Sequence, residues 1–257
     1  MNQRYKRMRE QMLPSGEARA QLQEKLEAAR PVPKGRIWGR ALALAACLLL
    51  VLGASVAVPR LYGVGRIALP QSDSGVRARY IYNPPPVRTQ AVLVELSEEE
   101  IFRGFGGREN VIFYGEAKKI RNIVLDFHGA LNYQAIAEIE VKEVYHGAIA
   151  PGDVLSVLLP CPIMDGMWVE DTGVISQLRE GMAGIFMPCL YFETDYWEEN
   201  GATLILRDVA AYGMPDGERF AFLETPGGLA YAAWAFPSLP ENAVLEDIKA
   251  LIAVYAG

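Results

Sequence analysis

The stretch Ala41 to Val58, ALALAACLLLVLGASVAV, has 18 residues without a charge or a strongly polar group, and it decides how the rest of the chain is organised. A helix rises about 1.5 Å per residue, so this run reaches nearly across the ~30 Å hydrocarbon core of a bilayer. Trp38 before it and Tyr62 after it extend the apolar column. The sequence therefore predicts a single transmembrane helix within residues 40–60.

The two sides of this run carry opposite charge. The first 40 residues contain 10 Lys/Arg and 4 Asp/Glu, whereas the remaining 217 contain 15 and 27. Lys34, Arg36 and Arg40 crowd the N-terminal flank, and basic residues close to a span on its short side favour the cytoplasm. We therefore expect the N-terminus inside the cell, the large C-terminal part outside it, and the protein in the cell membrane.

A cleaved secretory signal peptide is the alternative, because Ser55 and Ala57 are small residues placed for cleavage after Ala57. Signal peptides, however, have a short basic region and an apolar core of roughly 7–15 residues. Here the basic region is 40 residues long and the apolar run exceeds that core. A retained anchor is the favoured interpretation.

Residues 1–39 form a basic segment with two apolar stripes at helical spacing. Met8 and Met12 lie on the first stripe, and Leu22 and Leu26 on the second, with a Pro-Ser-Gly interruption between them. Helices this short are marginal in water, so their apolar stripes require a partner. A disordered basic tail that only fixes the membrane topology is the alternative.

Residues 61–90 are rich in Gly and Pro and predict a connector, with Pro84 to Pro86 favouring an extended polyproline segment. Beyond it, residues 91–257 form the outer domain. Its acidic balance disfavours nucleic acid and anionic lipid headgroups as partners.

The outer domain reads as mainly β. Short segments with strand patterning are separated by turn signals, which is typical of an antiparallel barrel or sandwich. The segments are 91–96, 110–121, 133–145, 154–159, 183–192, 202–211, and a closing hairpin of 220–224 with 229–233. Ser97 followed by Glu100 predicts a capped short helix, and apolar residues at spacings of three and four predict a C-terminal helix from about Pro240 to Tyr255.

Catalytic and metal-binding signatures are scarce. The sequence has no HExxH, no CxxC, no Walker loop and no G-x-S-x-G. Its two histidines, His128 and His146, fall at turns, where backbone geometry is the simpler reason for their presence. We therefore expect a protein that is not an enzyme and needs no cofactor or metal.

One cluster of the outer domain suggests a ligand surface. Carboxylates and aromatic residues alternate there: Tyr191, Glu193, Asp195, Tyr196 and Trp197. Exposed aromatics beside carboxylates are suited to a sugar, a basic peptide or a cation. Asn200-Gly201 follows directly and marks a tight hairpin turn, so ordinary solvated surface at a hairpin tip is the alternative.

The cysteines leave two alternatives open. Cys161 and Cys189 both lie in the predicted outer domain, where an oxidising milieu favours a disulfide. Two buried free thiols are the other interpretation.

The stretch RYKRMREQMLPSGEARAQLQEKLEAA, from Arg4 to Ala29, with its basic flank and one span, resembles the cytoplasmic segment of membrane-bound anti-sigma factors of Gram-positive bacteria. The resemblance is to the clostridial kind, which lacks a zinc motif. Further along, LSEEEIF (96–102), VIFYGE (111–116), VKEVYHG (141–147) and PGDV (151–154) resemble secreted β-barrel domains of OB or netrin-like type.

This resemblance implies a single-pass regulator. Its cytoplasmic segment would bind a sigma factor through Met8, Met12, Leu22 and Leu26, since apolar stripes of helices commonly dock in grooves. Its outer OB-like barrel would sense or bind an envelope ligand. The alternative is an anchored surface protein that binds carbohydrate or peptide and has no role in transcription.

Overall fold

A computed structural model describes residues 65–85, 93–104, 108, 110–165 and 171–256. The predicted cytoplasmic segment and the predicted span lie outside these residues, as do Met8, Met12, Leu22 and Leu26. Within the described ranges, none of the helices has the length and hydropathy needed to cross a bilayer.

The described part is mainly β, with one helix near its start and one at its end, as the sequence predicts. The strands are β1 (Arg66–Ile67), β2 (Val76–Tyr80), β3 (Ile112–Phe127), β4 (Ala130–His146), β5 (Val154–Leu159), β6 (Ala183–Phe186), β7 (Cys189–Leu190), β8 (Tyr196–Glu199), β9 (Ala202–Ile205), β10 (Tyr212–Gly213), β11 (Ala221–Thr225) and β12 (Gly228–Ala230); the helices are α1 (Glu98–Arg103) and α2 (Leu245–Tyr255).

The long hairpin of β3 and β4 is the centre of the sheet. The two strands pair antiparallel over almost their whole length, with register shifts after Ile112, Tyr114 and Ala117 that bend the hairpin. At Gly115, a Cβ atom would lie 2.7 Å from the backbone oxygen of Glu140, so glycine permits the close approach of the strands. This bending curls the sheet into a half-barrel.

The ten-stranded sheet has the order β12-β11-β6-β3-β4-β5-β10-β7, and β2 and β1 continue it beside the second half of β3. All its pairings are antiparallel except β5 with β10, which are parallel. At the far end, Cys189 of β7 forms an isolated bridge with Asn110, just before β3. The β7 end of the sheet thus meets the residues that lead into the central strand β3.

The sheet buries apolar side chains on both faces. The larger cluster contains Phe113, Phe186 and Phe222 together with Phe102 of α1 and Ile248 of α2. The smaller cluster lies on the opposite face of β3 and contains Leu125 and Phe127, covered by Leu204 of β9. Because both faces are covered, burial over β3 and β4 does not alternate simply, which explains why sequence patterning underestimated their length.

Several predicted elements are confirmed by the structure. Ser97 caps α1 with Glu100 in a reciprocal capping box, and Asn200-Gly201 joins β8 to β9. The C-terminal helix is confirmed but begins at Leu245, where Asp247 accepts a hydrogen bond from the N–H of Val244 at 2.9 Å.

Several predicted segments differ. The strand predicted over 202–211 ends at Ile205, where a short 3-10 helix, Leu206–Asp208, follows. The predicted connector 61–90 contains β1 and β2, which belong to the sheet. Residues 93–96 are not a strand. The strand predicted over 183–192 is interrupted at Met187-Pro188, because proline has no N–H to donate and the chain there changes partners from β3 to β10.

Candidate ligand-binding cavity

The hairpin β8–β9 carries two of the five residues of the predicted ligand surface, and its side chains alternate. Trp197 points inward and packs on Phe127 with 5.0 Å between ring centroids. Tyr196 points outward and is 61% exposed. This is the period-two pattern of a strand with one covered face. Trp197 therefore packs the hairpin against the sheet, whereas the side chain of Tyr196 is accessible to a partner.

Polar side chains clamp the hairpin to the turn between β3 and β4. Asn200, at φ 51°, donates from Nδ2 to the backbone oxygens of Phe127 and His128 at 3.1 and 3.2 Å. Asn132 of β4 donates from Nδ2 to Glu199 Oε2 at 2.7 Å. The hairpin is therefore fixed against the sheet at its tip, and not only at its base.

Asp195 stabilises the segment that leads into this hairpin. Its side chain is almost buried, with Oδ2 accepting from the N–H of Phe192 at 2.8 Å, and its backbone oxygen accepts from the N–H of Leu206 at 3.0 Å. Its Oδ1 accepts from Arg108 Nη2 at 2.6 Å. A buried carboxylate requires such partners, since an unpaired charge there is costly. Asp195 is therefore a structural residue of the site, which positions Arg108 and the backbone at Phe192, and it is not exposed to solvent.

A cavity of about 330 Å³ opens beside this ion pair. It is lined by the half-exposed Arg108 and by Cys189, Tyr191, Leu206, Gly213, Met214 and Pro215. Beyond the bond to Asp195, the guanidinium of Arg108 makes no hydrogen bond within the described ranges. The cavity thus combines cationic N–H donors with an aromatic ring and an apolar floor, a composition typical of small-molecule pockets.

The backbone of β10 makes room for the aromatic wall. Gly213 lies directly under the Tyr191 hydroxyl, where any Cβ atom would overlap it. Burial raises the pKa of Tyr191 to about 12, with the nearby charge of Arg108 opposing the shift. The phenol therefore stays protonated at physiological pH and offers a neutral O–H.

The remaining predicted surface residue, Glu193, is exposed and lies 3.8 Å from Arg207. The cavity and the hairpin surface are thus adjacent but distinct. Tyr191 lines the cavity and Asp195 holds the cavity residue Arg108, whereas Glu193 and Tyr196 lie on the outer surface. Arg108, Gly213 and Met214 are not distinguished by any sequence signal, because they come together only through the pairing of β10 with β5 and β7.

The two cysteines are free and buried, so of the two alternatives the structure has the pair of buried free thiols. Each thiol has its own polar partner. Cys189 donates to Asn110 Oδ1 at 2.9 Å, and Cys161 is hydrogen-bonded by Thr172. Burial raises the pKa of each thiol to about 11, which keeps both protonated and weakly nucleophilic.

The histidines face backbone oxygens. His128 Nδ1 lies 3.4 Å from the oxygen of Asn200, and His146 Nδ1 lies 3.0 Å from that of Ala256. Among the residues with described positions, no three His, Cys, Asp or Glu side chains form a group able to hold a metal. No protein-family model, curated protein or solved structure matches this chain.

Proposed function

We propose that the chain is a single-pass membrane regulator whose outer domain binds a small envelope ligand in the cavity beside Arg108 and whose cytoplasmic segment binds a sigma factor. The observation that carries the ligand-binding half is a cavity of about 330 Å³ lined by Arg108 and Tyr191, with Arg108 held in place by its bond to Asp195. Ligand pockets typically begin at roughly this volume.

The strand order supports an OB-type barrel. The strands β3, β4, β5, β10 and β6–β7 follow one another round the sheet, with β5 and β10 parallel and Asn110 bridged to Cys189. OB-type barrels bind ligands through the loop between their first two strands and the loop between their last two. Here these loops are the Phe127–Ala130 turn and residues 191–211, which carry the hairpin and Tyr191.

The chemistry of the cavity defines the ligand class. The open N–H groups of Arg108 suit a carboxylate or phosphate oxygen. The Tyr191 ring and Met214 suit an apolar or sugar moiety beside it. Because Asp195 neutralises part of the Arg108 charge, a singly charged ligand fits better than a strongly anionic one. We therefore infer a small amphiphilic acid, such as an acidic sugar or a peptide with a free carboxylate.

The outer test measures ligand binding with full-length protein in nanodiscs. N-acetylmuramic acid and cell-wall muropeptides are the probes, and thermal stabilisation is the readout. We expect stabilisation that Arg108→Gln abolishes. Arg179→Gln is the matched control, since Arg179 pairs with the exposed Asp165 at 2.9 Å and does not line the cavity. Equal responses of the two variants would refute the site.

The inner test measures sigma-factor capture by the full chain. The double variant Leu22→Glu/Leu26→Glu places charges on the predicted apolar stripe. Gln21→Glu/Gln23→Glu adds the same charges beside it. Loss of capture in the first variant alone supports the regulator. Equal capture by both variants, or capture by neither variant nor the parent chain, favours the second candidate, an anchored surface protein that binds carbohydrate or peptide without a role in transcription.

A further inference from the structure

Three arginines share one face of the β1–β2 hairpin. Arg66 pairs directly with Arg79 across the strands, and Arg77 lies two residues from Arg79 on the same side. All three are exposed and line a hollow of about 450 Å³. We call this surface, formed by Arg66, Arg77 and Arg79, the arginine face.

The positive charges of the arginine face are not paired with carboxylates, unlike those of the other arginines in the described ranges. Every other described arginine forms an ion pair: Arg103, Arg108, Arg121, Arg179, Arg207 and Arg219. The three arginines of the face form neither an ion pair nor a side-chain hydrogen bond with a described residue. Like charges directly opposite each other on paired strands are destabilising. An external anion would relieve this repulsion.

Two carboxylates border the hollow, and one oxygen of each accepts a hydrogen bond from a backbone amide. Asp73 Oδ2 accepts from the N–H of Thr203 at 2.9 Å, and Asp126 Oδ1 accepts from the N–H of Gly129 at 2.7 Å. Asp126 lies directly opposite Arg77 on the paired strands β2 and β3, but neither carboxylate forms an ion pair with the arginine face. Three guanidinium groups thus lie beside two carboxylates, and the surface keeps a surplus of positive charge.

We infer that the arginine face docks on the anionic phospholipid headgroups of the membrane in which the predicted span is anchored. This inference rests on the anchor of the proposed function. The predicted span ends at Val58, and β1 begins at Arg66. The seven intervening residues reach at most about 25 Å when fully extended. The arginine face is thus tethered within a short distance of the bilayer surface.

Neighbouring side chains have the composition of a membrane interface. Tyr82 is 73% exposed, and a second hollow beside Arg79 is lined by Tyr82 and Tyr133. Tyrosine is enriched at membrane–water interfaces, where its ring lies at headgroup level. The acidic balance of the outer part does not cancel this attraction, because salt screens charges beyond about 8 Å at physiological ionic strength. Net charge thus conceals a local basic surface.

The test measures hydrogen exchange of the full chain in nanodiscs made of phosphatidylcholine alone or with phosphatidylglycerol. We expect slower exchange over residues 66–82 in the anionic nanodiscs, and loss of this protection at high salt. Each arginine near an anionic surface changes the docked-to-undocked ratio about fivefold. The triple variant Arg66→Gln/Arg77→Gln/Arg79→Gln should therefore lose the protection, and the corresponding triple lysine variant should retain it.

The controls separate the outcomes. Arg103→Gln/Arg179→Gln/Arg207→Gln removes three ion-paired arginines elsewhere and should leave the protection unchanged. Equal exchange in the two lipids, or equal protection by soluble polyphosphate in neutral nanodiscs, would refute docking on headgroups while leaving the anchor intact. Release of the parent chain from vesicles by alkaline carbonate would instead refute the anchor, and the docking inference with it.

Discussion

Removing the Asp195 carboxylate tests whether this residue stabilises the structure around the cavity or is an ordinary surface residue. Asp195→Ala loses the bond to Arg108 at 2.6 Å and the bond from the Phe192 N–H at 2.8 Å. Both bonds go to the charged carboxylate, and hydrogen bonds to charged groups contribute about 1.5–3 kcal/mol each. Arg108 is 41% exposed and can turn to water, which lowers the cost. We expect about 2–4 kcal/mol of lost unfolding free energy.

The assay is urea-dependent pulse proteolysis of the full chain in nanodiscs. Asp195→Asn keeps an acceptor for the Phe192 N–H and should cost about half as much, roughly 1–2 kcal/mol. Glu193→Ala is the matched control; its carboxylate is exposed and lies 3.8 Å from Arg207, so its loss should cost less than about 0.5 kcal/mol. Equal losses for Asp195→Ala and Glu193→Ala would refute the assignment of Asp195 as the buried organiser of the site.

Three further changes probe the same domain. Asn200→Ala loses two backbone contacts and places alanine at φ 51°, so we expect about 1–3 kcal/mol of destabilisation and faster hydrogen exchange in β8 and β9. Cys161 and Cys189 should resist iodoacetamide at pH 8 in the folded chain and react after denaturation, as read by peptide mass spectrometry, because burial raises the pKa of both thiols to about 11; rapid alkylation of the folded chain would contradict their burial. Burial also raises the pKa of Glu218, so its contribution to stability is lost as pH rises above the ordinary glutamate value; Glu218→Gln should therefore gain stability over the parent at pH 7 relative to pH 4 in thermal unfolding, and a reversed pH trend would contradict that burial.

Local signals in the sequence predict local structure well in this chain. The Ser97 and Glu100 capping box, the Asn200-Gly201 turn and the Pro151-Gly152-Asp153 turn each specify backbone geometry through neighbouring residues. The apolar stripe of α2 likewise follows from spacing alone. Such signals predict the mainly β class and the final helix.

Contacts between distant segments were not predictable in the same way. Arg108 and Asp195 are 87 positions apart, and nothing in either neighbourhood indicates the other. The short strands β1, β7 and β10 have too few residues for a period to be read. Net charge does not reveal the arginine face, because it averages over the chain, whereas strand pairing places Arg66 opposite Arg79.

The cavity was predictable in part. Tyr191 and Asp195 stood out as an aromatic and a carboxylate in one cluster, although only the structure separates them from the exposed Glu193 and Tyr196. Gly213 leaves room for the Tyr191 ring, but no sequence pattern indicates this role, because it depends on the side chain packed above the glycine. The residues of this site come together through the pairing of β10 with β5 and β7, so the site cannot be predicted before the strand pairing is known.

We propose that residues 41–58 anchor the chain with the N-terminus inside and the β domain outside. Its most direct test is protease treatment of intact cells that carry different epitope tags at the two ends of the chain. We expect the C-terminal tag to be lost while an N-terminal fragment that includes the predicted span stays in the membrane. Survival of the C-terminal tag on intact cells, or a secreted chain beginning near residue 58, would contradict the account.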